Sequence, residues 1–182
     1  MRIKRICYPV RVLGPGTRVG IWVTGCSFGC PGCMSPELQD YHAGNEMDIP
    51  TILEMIGKIP GPVEGVTISG GEPFEQTVQL HRLVTGLRQQ FTEDIIIYTG
   101  YTLQQLKARK CPDTDGVLGQ IAVLIDGTYR ESKDDGKGLR GSSNQCIHIF
   151  REPSRYAYMK DCKRQLQVFH YDQASTFMVG LL

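Results

Sequence analysis

The three cysteines Cys26, Cys30 and Cys33 constrain this chain more than any other feature of its sequence. Their C-x3-C-x2-C spacing, with Gly and Pro between them, lets a short loop curl around one inorganic centre and present three thiolates to it. A structural zinc site takes four protein ligands, and so does the cubane iron–sulfur cluster of an ordinary electron carrier. Three ligands therefore favour a [4Fe-4S] cluster in which one iron stays open for another molecule.

Two other interpretations of the loop remain open at this point. One is a cysteine-rich turn that binds no metal. The other is a zinc site whose fourth ligand comes from a distant part of the chain, such as Cys111, Cys146 or a histidine. Short cysteine motifs occur by chance, so spacing alone does not separate these possibilities.

Composition limits the classes of protein to consider. A chain of 182 residues with 41% hydrophobic residues predicts one packed core, and a net charge of +1 with mixed signs argues against nucleic acid or a membrane surface as a partner. The cysteine count of seven is odd and three of them crowd together, which is unlike a secreted disulfide framework. We expect a cytoplasmic chain, without a signal peptide or an apolar run of about 18 residues.

Hydrophobic periodicity predicts strands that alternate with helices. Asp48 is expected to cap the first helix, and Thr102 with Gln105 forms a capping box for a short one. The predicted strands cover residues 3–12 (an edge strand), 19–23, 63–69, 94–98, 121–125 and 146–150, and the predicted helices cover 48–59, 80–91 and 102–106. Residues 107–119 are expected to be a polar connection. The alternation predicts a mostly parallel α/β sheet with right-handed crossovers.

Four predicted strands end in polar, glycine-containing sequences. These ends are Gly25-Cys26, Ser69-Gly70-Gly71-Glu72, Thr99-Gly100 and Asp126-Gly127. Because ligand-binding groups gather at the carboxyl ends of parallel strands, we expect the four ends to form a single site that includes the cysteine loop. The paired glycines Gly70 and Gly71 would let a ligand approach the main chain closely.

Several other side chains have two possible interpretations or a structural role. Arg18, beyond the turn at residues 14–17, offers a planar charged fork that suits a carboxylate, although a plain turn is the simpler explanation. We expect Cys146 and Cys162 to be packed thiols, with a redox or auxiliary role as the alternative. His148 is expected to be an ordinary hydrogen-bonded side chain, and Trp22 a core residue.

These motifs together resemble those of the radical S-adenosylmethionine (SAM) superfamily, and within it the small activases of glycyl-radical enzymes, especially the type that activates anaerobic ribonucleotide reductase. The resemblance covers roughly residues 7–150, in the family's order and spacing. The matching segments are Gly14-Pro15-Gly16-Thr17-Arg18, Cys26-x3-Cys30-Pro31-Gly32-Cys33, Ser69-Gly70-Gly71-Glu72-Pro73, Tyr98-Thr99-Gly100-Tyr101, Ile125-Asp126-Gly127 and Arg140-Gly141-Ser142-Ser143-Asn144-Gln145.

The resemblance implies a partial (β/α)6-like radical SAM barrel. The C-terminal hairpin extension is predicted by the sequence itself, from strand-like runs at residues 165–171 and 175–182 on either side of a turn at Asp172, Gln173 and Ala174. The three cysteines would hold three irons of a [4Fe-4S] cluster, and SAM would chelate the fourth iron. Gly70, Gly71 and Glu72 match the motif that receives the methionine amino group, and Gly32-Cys33-Met34 matches the stretch that passes the adenosine. Asp126 and Asn144 match further polar contacts to the cofactor.

The same resemblance implies a reaction and partners. One electron from the cluster would cleave SAM to a 5′-deoxyadenosyl radical, which would take a hydrogen atom from a glycine of a large glycyl-radical enzyme related to ribonucleotide reductase. The electron would come from a donor such as a flavodoxin or a ferredoxin. The alternatives are a stand-alone radical SAM enzyme that modifies a small molecule or peptide, and a non-catalytic cluster or zinc protein.

The chain departs from the wider pattern in three places. Gly32 stands where most of the superfamily has an aromatic residue, which favours the ribonucleotide reductase subgroup. Thr128 stands where activases often carry Lys, which weakens the assignment of Asp126. Residues 151–182 lie beyond the matched core domain of residues 1–150. We expect this extension to pack on the core, by default as a hairpin that seals a sheet edge, or else as a cover over the barrel.

Overall fold

The computed structural model describes residues 1–170 and 176–181. Within these ranges the chain forms a seven-stranded sheet and a separate two-stranded sheet, with helices between the strands. The seven strands of the large sheet are β1 (Arg2–Val10), β2 (Arg18–Val23), β3 (Asn45–Glu46), β4 (Gly65–Gly70), β5 (Ile95–Thr99), β6 (Val123–Asp126) and β7 (Cys146–Ile149). The prediction of an α/β fold is confirmed.

The order of strands in the large sheet is β3-β1-β2-β4-β5-β6-β7. The four central strands β2, β4, β5 and β6 are parallel, as the alternation of strands and helices predicts. The flanking strands are antiparallel to their neighbours, and β7 is among them because a connection without a crossover helix joins it to β6. The repeated parallel pattern therefore stops one strand earlier than the sequence suggests.

Five α-helices connect these strands or follow them: α1 (Ile49–Gly57), α2 (Thr77–Gln90), α3 (Leu103–Ala108), α4 (Pro112–Leu118) and α5 (Pro153–Tyr156), in the part of the chain that the structure describes. Short 3-10 helices occupy Pro36–Leu38, Pro73–Gln76, Glu131–Lys133 and Ala157–Lys160. Both predicted caps are confirmed: Asp48 accepts a hydrogen bond from the Thr51 N–H at 2.8 Å, and Thr102 and Gln105 form the capping box.

Helix α4 corrects the prediction of a polar connection over residues 107–119. Pro112 occupies the first turn, where its missing N–H costs nothing, and Thr114 and Val117 are fully buried one turn apart. The Asp113 Oδ1 on this helix lies 2.8 Å from the Nδ1 of His81 on α2, within hydrogen-bond distance. The helix is stabilised by tertiary packing, which a count of polar residues does not reveal.

Alternating strand residues divide the core between the two faces of the sheet. On β5, Ile95 and Ile97 pack into the cluster formed with α1 and α2, whereas Ile96 packs on the opposite face. Trp22 also lies on that opposite face and is 6% exposed, which confirms it as a core residue. One face is thus covered by helices, and the other contacts the C-terminal segment.

The C-terminal segment ends in a hairpin of β8 (Leu166–His170) and β9 (Thr176–Gly180). The predicted turn at Asp172, Gln173 and Ala174 lies outside the described residues. Among the described residues the hairpin forms its own sheet and does not pair with an edge of the large one, which argues against the default expectation of edge sealing. Instead, the Phe177 ring contacts Trp22 edge-to-face at 5.4 Å. The division of the chain at residue 150 stays a prediction.

Within the described residues, none of the helices has both the length and the apolar character that crossing a bilayer requires.

Candidate functional site

The cysteine loop begins where the buried strand β2 ends. Gly25 adopts a φ of +90°, a value that favours glycine, and its N–H donates to the Leu38 carbonyl at 2.9 Å. The next N–H, from Cys26, donates to the Gln39 carbonyl at 3.1 Å. These two bonds close the base of the loop, so the three thiols are carried by a segment whose ends are held together.

Glu75 provides a second attachment for the loop. Its Oε1 accepts hydrogen bonds from the N–H of Ser27 at 3.0 Å and from the Ser27 hydroxyl at 2.5 Å. Its Oε2 accepts a hydrogen bond from the Tyr41 hydroxyl. One carboxylate therefore joins the segment between the first two cysteines to the segment that returns from the loop.

All three loop cysteines are free thiols of intermediate burial, and all three line one cavity of about 170 Å³. Burial raises the pKa of Cys26 to about 11, with a further contribution from the nearby Glu72 and Glu75 carboxylates, and burial also raises the pKa of Cys30. Thiolates bind metal, so the protons on these two sulfurs must leave when a positively charged centre binds. Three sulfurs around one cavity are a donor set that fits an iron–sulfur cluster.

The predicted convergence of the strand ends is observed. The walls of the cavity come from the cysteine loop, from the ends of β4, β5 and β6 and from two later segments. The lining residues are Cys26, Phe28, Cys30, Cys33, Met34, Ser35, Ser69, Gly70, Gly71, Glu72, Tyr98, Thr99, Gly100, Gly127, Tyr129, Gly141, Gln145 and Leu181. Among these described residues, Cys26, Cys30 and Cys33 are the only cysteines, and none is a histidine. A fourth zinc ligand from Cys111, Cys146 or a histidine has no support from the cavity wall.

Two glycines, Gly70 at the end of β4 and Gly71 after it, allow the strand end to contact the cysteine loop. The N–H of Gly71 donates to Val23 and that of Glu72 to Gly25, each at 2.8 Å. A Cβ on Gly71 would overlap the carbonyl oxygen of Gly25, and Gly70 has a φ of +107°. The space that the missing side chains leave exposes the main chain to the cavity, as expected for a close approach by a ligand.

Glu72 is 1% exposed, and protein donors already occupy both of its oxygens. Oε1 accepts from the Phe74 N–H and the Thr99 hydroxyl, both at 2.8 Å, and Oε2 accepts from the Gly100 N–H at 2.7 Å. A carboxylate has about four acceptor positions, so one remains for a ligand. Burial raises the pKa of Glu72 to about 7, and the hydrogen bonds from Gly100, Phe74 and Thr99 oppose that rise.

Three predicted site residues are not among the described residues that line the cavity. In each case the adjacent residue in the sequence lines it. Gly32 lies against the side chain of Glu131. Asn144 donates through Nδ2 to the Thr128 carbonyl at 2.9 Å, while the adjacent Gln145 lines the cavity. Asp126 is buried, and its carboxylate accepts from the N–H of Leu103. These three residues remain predictions as cofactor ligands.

Sequence reasoning missed three apolar or aromatic parts of the wall. Phe28 packs on Tyr101 with their ring centroids 4.7 Å apart. Because it lies between the first two cysteines, its position in the sequence could have indicated a place in the cavity wall. Tyr129 follows the end of β6 by three residues. Leu181 comes from beyond the hairpin, and no sequence pattern connects it with the cysteines.

Comparison with known proteins agrees with this arrangement. Residues 12–148 match the family described as a 4Fe-4S single cluster domain. The chain is 33% identical over 156 residues to the anaerobic ribonucleoside-triphosphate reductase-activating protein of Salmonella typhi, covering 79% of this chain and 96% of that one. It is 32% identical over 152 residues to the protein of the same name from Escherichia coli (strain K12), with the same coverage. A third such protein, from Enterobacteria phage T4, is 31% identical over 138 residues, covering 74% of this chain and 85% of its own.

The family match spans most of the chain, and the relatives are covered almost end to end. The cysteine loop and the four strand ends all fall within the matched residues. The chain therefore belongs to the 4Fe-4S single cluster domain family and, within it, to the activating enzymes named for anaerobic ribonucleoside-triphosphate reductase.

Proposed function

We propose that this chain is a radical SAM activase that generates a glycyl radical on an anaerobic ribonucleotide reductase. The observation that carries the proposal is the single cavity onto which Cys26, Cys30 and Cys33 and the ends of β4, β5 and β6 all open. The names of the relatives supply the partner. The four parallel strands would form the central part of a (β/α)6-like partial barrel.

The cysteines would each ligate one iron of a [4Fe-4S] cluster. When bound, this cluster and SAM together would supply the electron and the 5′-deoxyadenosyl radical for hydrogen abstraction. Gly70 and Gly71 would bring their main chain close to the methionine part of SAM. Glu72 would accept a hydrogen bond from its amino group through the acceptor position that protein donors leave open.

Other residues of the cavity would exclude water and stray hydrogen donors from the radical. Phe28, Met34 and Leu181 provide an apolar wall beside the cysteines, and the segment from Gly32 to Met34 would pass the adenosine. The electron would come from a donor such as a flavodoxin or ferredoxin. A cytoplasmic location remains part of the proposal, because exposed thiols and an open cluster need a reducing compartment.

The proposal is tested by comparing two variants, Cys30→Ala and Cys111→Ala. Cys111 directly precedes α4 and lies outside the cavity wall, so its variant is the control. Both variants are reconstituted anaerobically with iron and sulfide and given a reductant and SAM. We expect Cys30→Ala to lose both the cluster absorption and 5′-deoxyadenosine formation, and Cys111→Ala to keep both. Equal turnover in the two variants would contradict the ligand assignment.

A second measurement separates activation of a protein from action on a small molecule. The reconstituted protein is incubated with SAM, reductant and an anaerobic ribonucleotide reductase, and the mixture is examined by EPR spectroscopy. We expect a glycyl radical on the reductase. SAM cleavage without a protein radical would instead favour the stand-alone enzyme that acts on a small molecule or peptide.

A further inference from the structure

Three side chains with metal-binding atoms meet at the ends of β6 and β7. Asp126 and Cys146 face each other across the antiparallel pair, and His148 lies two residues beyond Cys146 on the same strand. Side chains two residues apart on a strand point to one face of the sheet, as do directly opposed residues of an antiparallel pair. The register therefore places a carboxylate, a thiol and an imidazole on one face.

The donor atoms of these residues are close enough to share one ion. An oxygen of Asp126, the Sγ of Cys146 and a ring nitrogen of His148 all lie within 4.8 Å of one another. The His148 Nε2 is 2.9 Å from the Asp126 Oδ2. Zinc bonds of about 2.0–2.3 Å place tetrahedral ligands roughly 3.3–3.8 Å apart, so small side-chain rotations would suffice to bind the ion.

The surroundings of Asp126 orient its carboxylate toward this cluster. Main-chain N–H groups of Leu103 and Cys146 donate to its two oxygens, the second at 3.3 Å. Such hydrogen bonds to a ligating carboxylate are the usual support for a metal ligand. The Asp126 side chain is 5% exposed, whereas Cys146 is exposed, which corrects its prediction as a packed thiol and leaves a path for an ion to enter.

We propose that Asp126, Cys146 and His148 form a second metal site, separate from the cysteine loop, that binds one divalent cation of the zinc type. Thiolate, imidazole and carboxylate are all zinc ligands, and three protein ligands leave a fourth position for water. The ion would join β6 to β7 next to Gly127 and Gln145, which line the cavity. It would therefore stabilise the part of the cavity wall that Gly127 and Gln145 form.

The test uses the reconstituted protein with its iron–sulfur cluster in place, so that the loop cysteines are occupied. The protein is equilibrated with Zn²⁺, freed of excess ion, and analysed for zinc and iron. We expect one zinc per chain in addition to the iron. Cys146→Ser and His148→Gln should each weaken zinc binding by about tenfold or more with unchanged iron, while the matched Cys111→Ser should bind like the wild type.

Cobalt gives an independent readout of the same site. Co²⁺ added to the cluster-containing protein should produce a thiolate-to-cobalt charge-transfer absorption that is absent in Cys146→Ser and present in Cys111→Ser. A zinc content that is the same in all variants, or that rises only as iron is lost, would overturn the proposal. The second result would mean that zinc enters only the cysteine loop, and Asp126 and His148 would then form no more than an ion pair. Neither result depends on whether the protein cleaves SAM.

Discussion

Asp94 and Arg155 form a two-point ion pair that ties the C-terminal segment to the sheet. The Asp94 Oδ2 accepts from Nη2 of Arg155 at 2.9 Å and from Nε at 3.2 Å. The other oxygen of Asp94 lies 2.8 Å from Nη2 of Arg18, which is fully buried at the start of β2. A single carboxylate thus joins residues that are far apart in sequence. The contact favours the carboxylate interpretation of Arg18 over the plain turn that was the simpler explanation.

Asp94→Ala is predicted to lower the free energy of unfolding by about 3–5 kcal/mol, because it leaves the buried Arg18 without a counter-charge. The guanidinium keeps its bonds to the Thr67 hydroxyl at 2.7 Å and the Val66 carbonyl at 2.8 Å, but these do not neutralise it. Urea denaturation measures the change. The exposed pair of Glu54 and Lys58 provides the control, since Glu54→Ala should cost less than about 0.5 kcal/mol. Equal losses in the two variants would contradict the importance of the buried pair.

Glu72→Gln is predicted to change how stability depends on pH in the cluster-free protein. The pKa of Glu72 is about 7 in the folded protein against an ordinary value of 4.5, so the folded state binds the proton more tightly. The stabilisation from this proton is complete below pH 4.5 and is lost as the pH rises through 7. Relative to the Gln variant, the free energy of unfolding of the wild type should fall by on the order of 3 kcal/mol as the pH rises across that window.

Unfolding midpoints of both proteins across this pH range provide the measurement for Glu72. Glu37→Gln is the control, because Glu37 is exposed and its variant should follow the wild-type curve. Parallel curves for the wild type and Glu72→Gln would show that this carboxyl does not take up the proton.

Gly71→Ala is predicted to prevent cluster assembly without unfolding the whole chain. The added Cβ would overlap the Gly25 carbonyl oxygen and lie 2.9 Å from that of Leu38, so the base of the cysteine loop must move. Reconstituted iron content and cluster absorption are the measurements, with circular dichroism to show retained secondary structure. Gly57→Ala serves as the control, because its Cβ would come no closer than 3.7 Å to Phe91. A full cluster in Gly71→Ala would mean that the loop tolerates the displacement.

Phe177→Ala is predicted to destabilise the protein by about 1–3 kcal/mol, since this half-buried ring packs on Trp22 and lies 3.6 Å from the Arg5 guanidinium. The neighbouring Met178 is 58% exposed, so Met178→Ala should have little effect. Limited proteolysis of the C-terminal segment and urea denaturation together measure the difference. If both variants behave alike, the hairpin does not depend on the Trp22 contact.

Sequence patterns that span only a few neighbouring residues predicted much of the fold and of the candidate site. The cysteine spacing, the glycine-rich strand ends, the Asp48 cap and the Thr102 capping box could all be identified from neighbouring positions, because strand period, helix caps and loop ligands are local properties. The resemblance to the activase family rested on the same local motifs, and the relatives confirm it.

Tertiary structure decided which of these local segments contact one another. The hydrogen bonds from Thr99 and Gly100 to Glu72, the contact of Leu181 with the cavity and the meeting of Asp126 with His148 each join residues that are distant in sequence. Such contacts depend on strand order, on register and on which face of the sheet a side chain occupies. The sequence by itself determined which residues could bind a cluster, whereas the folded sheet decided which other groups surround them, because only pairing between strands sets those distances.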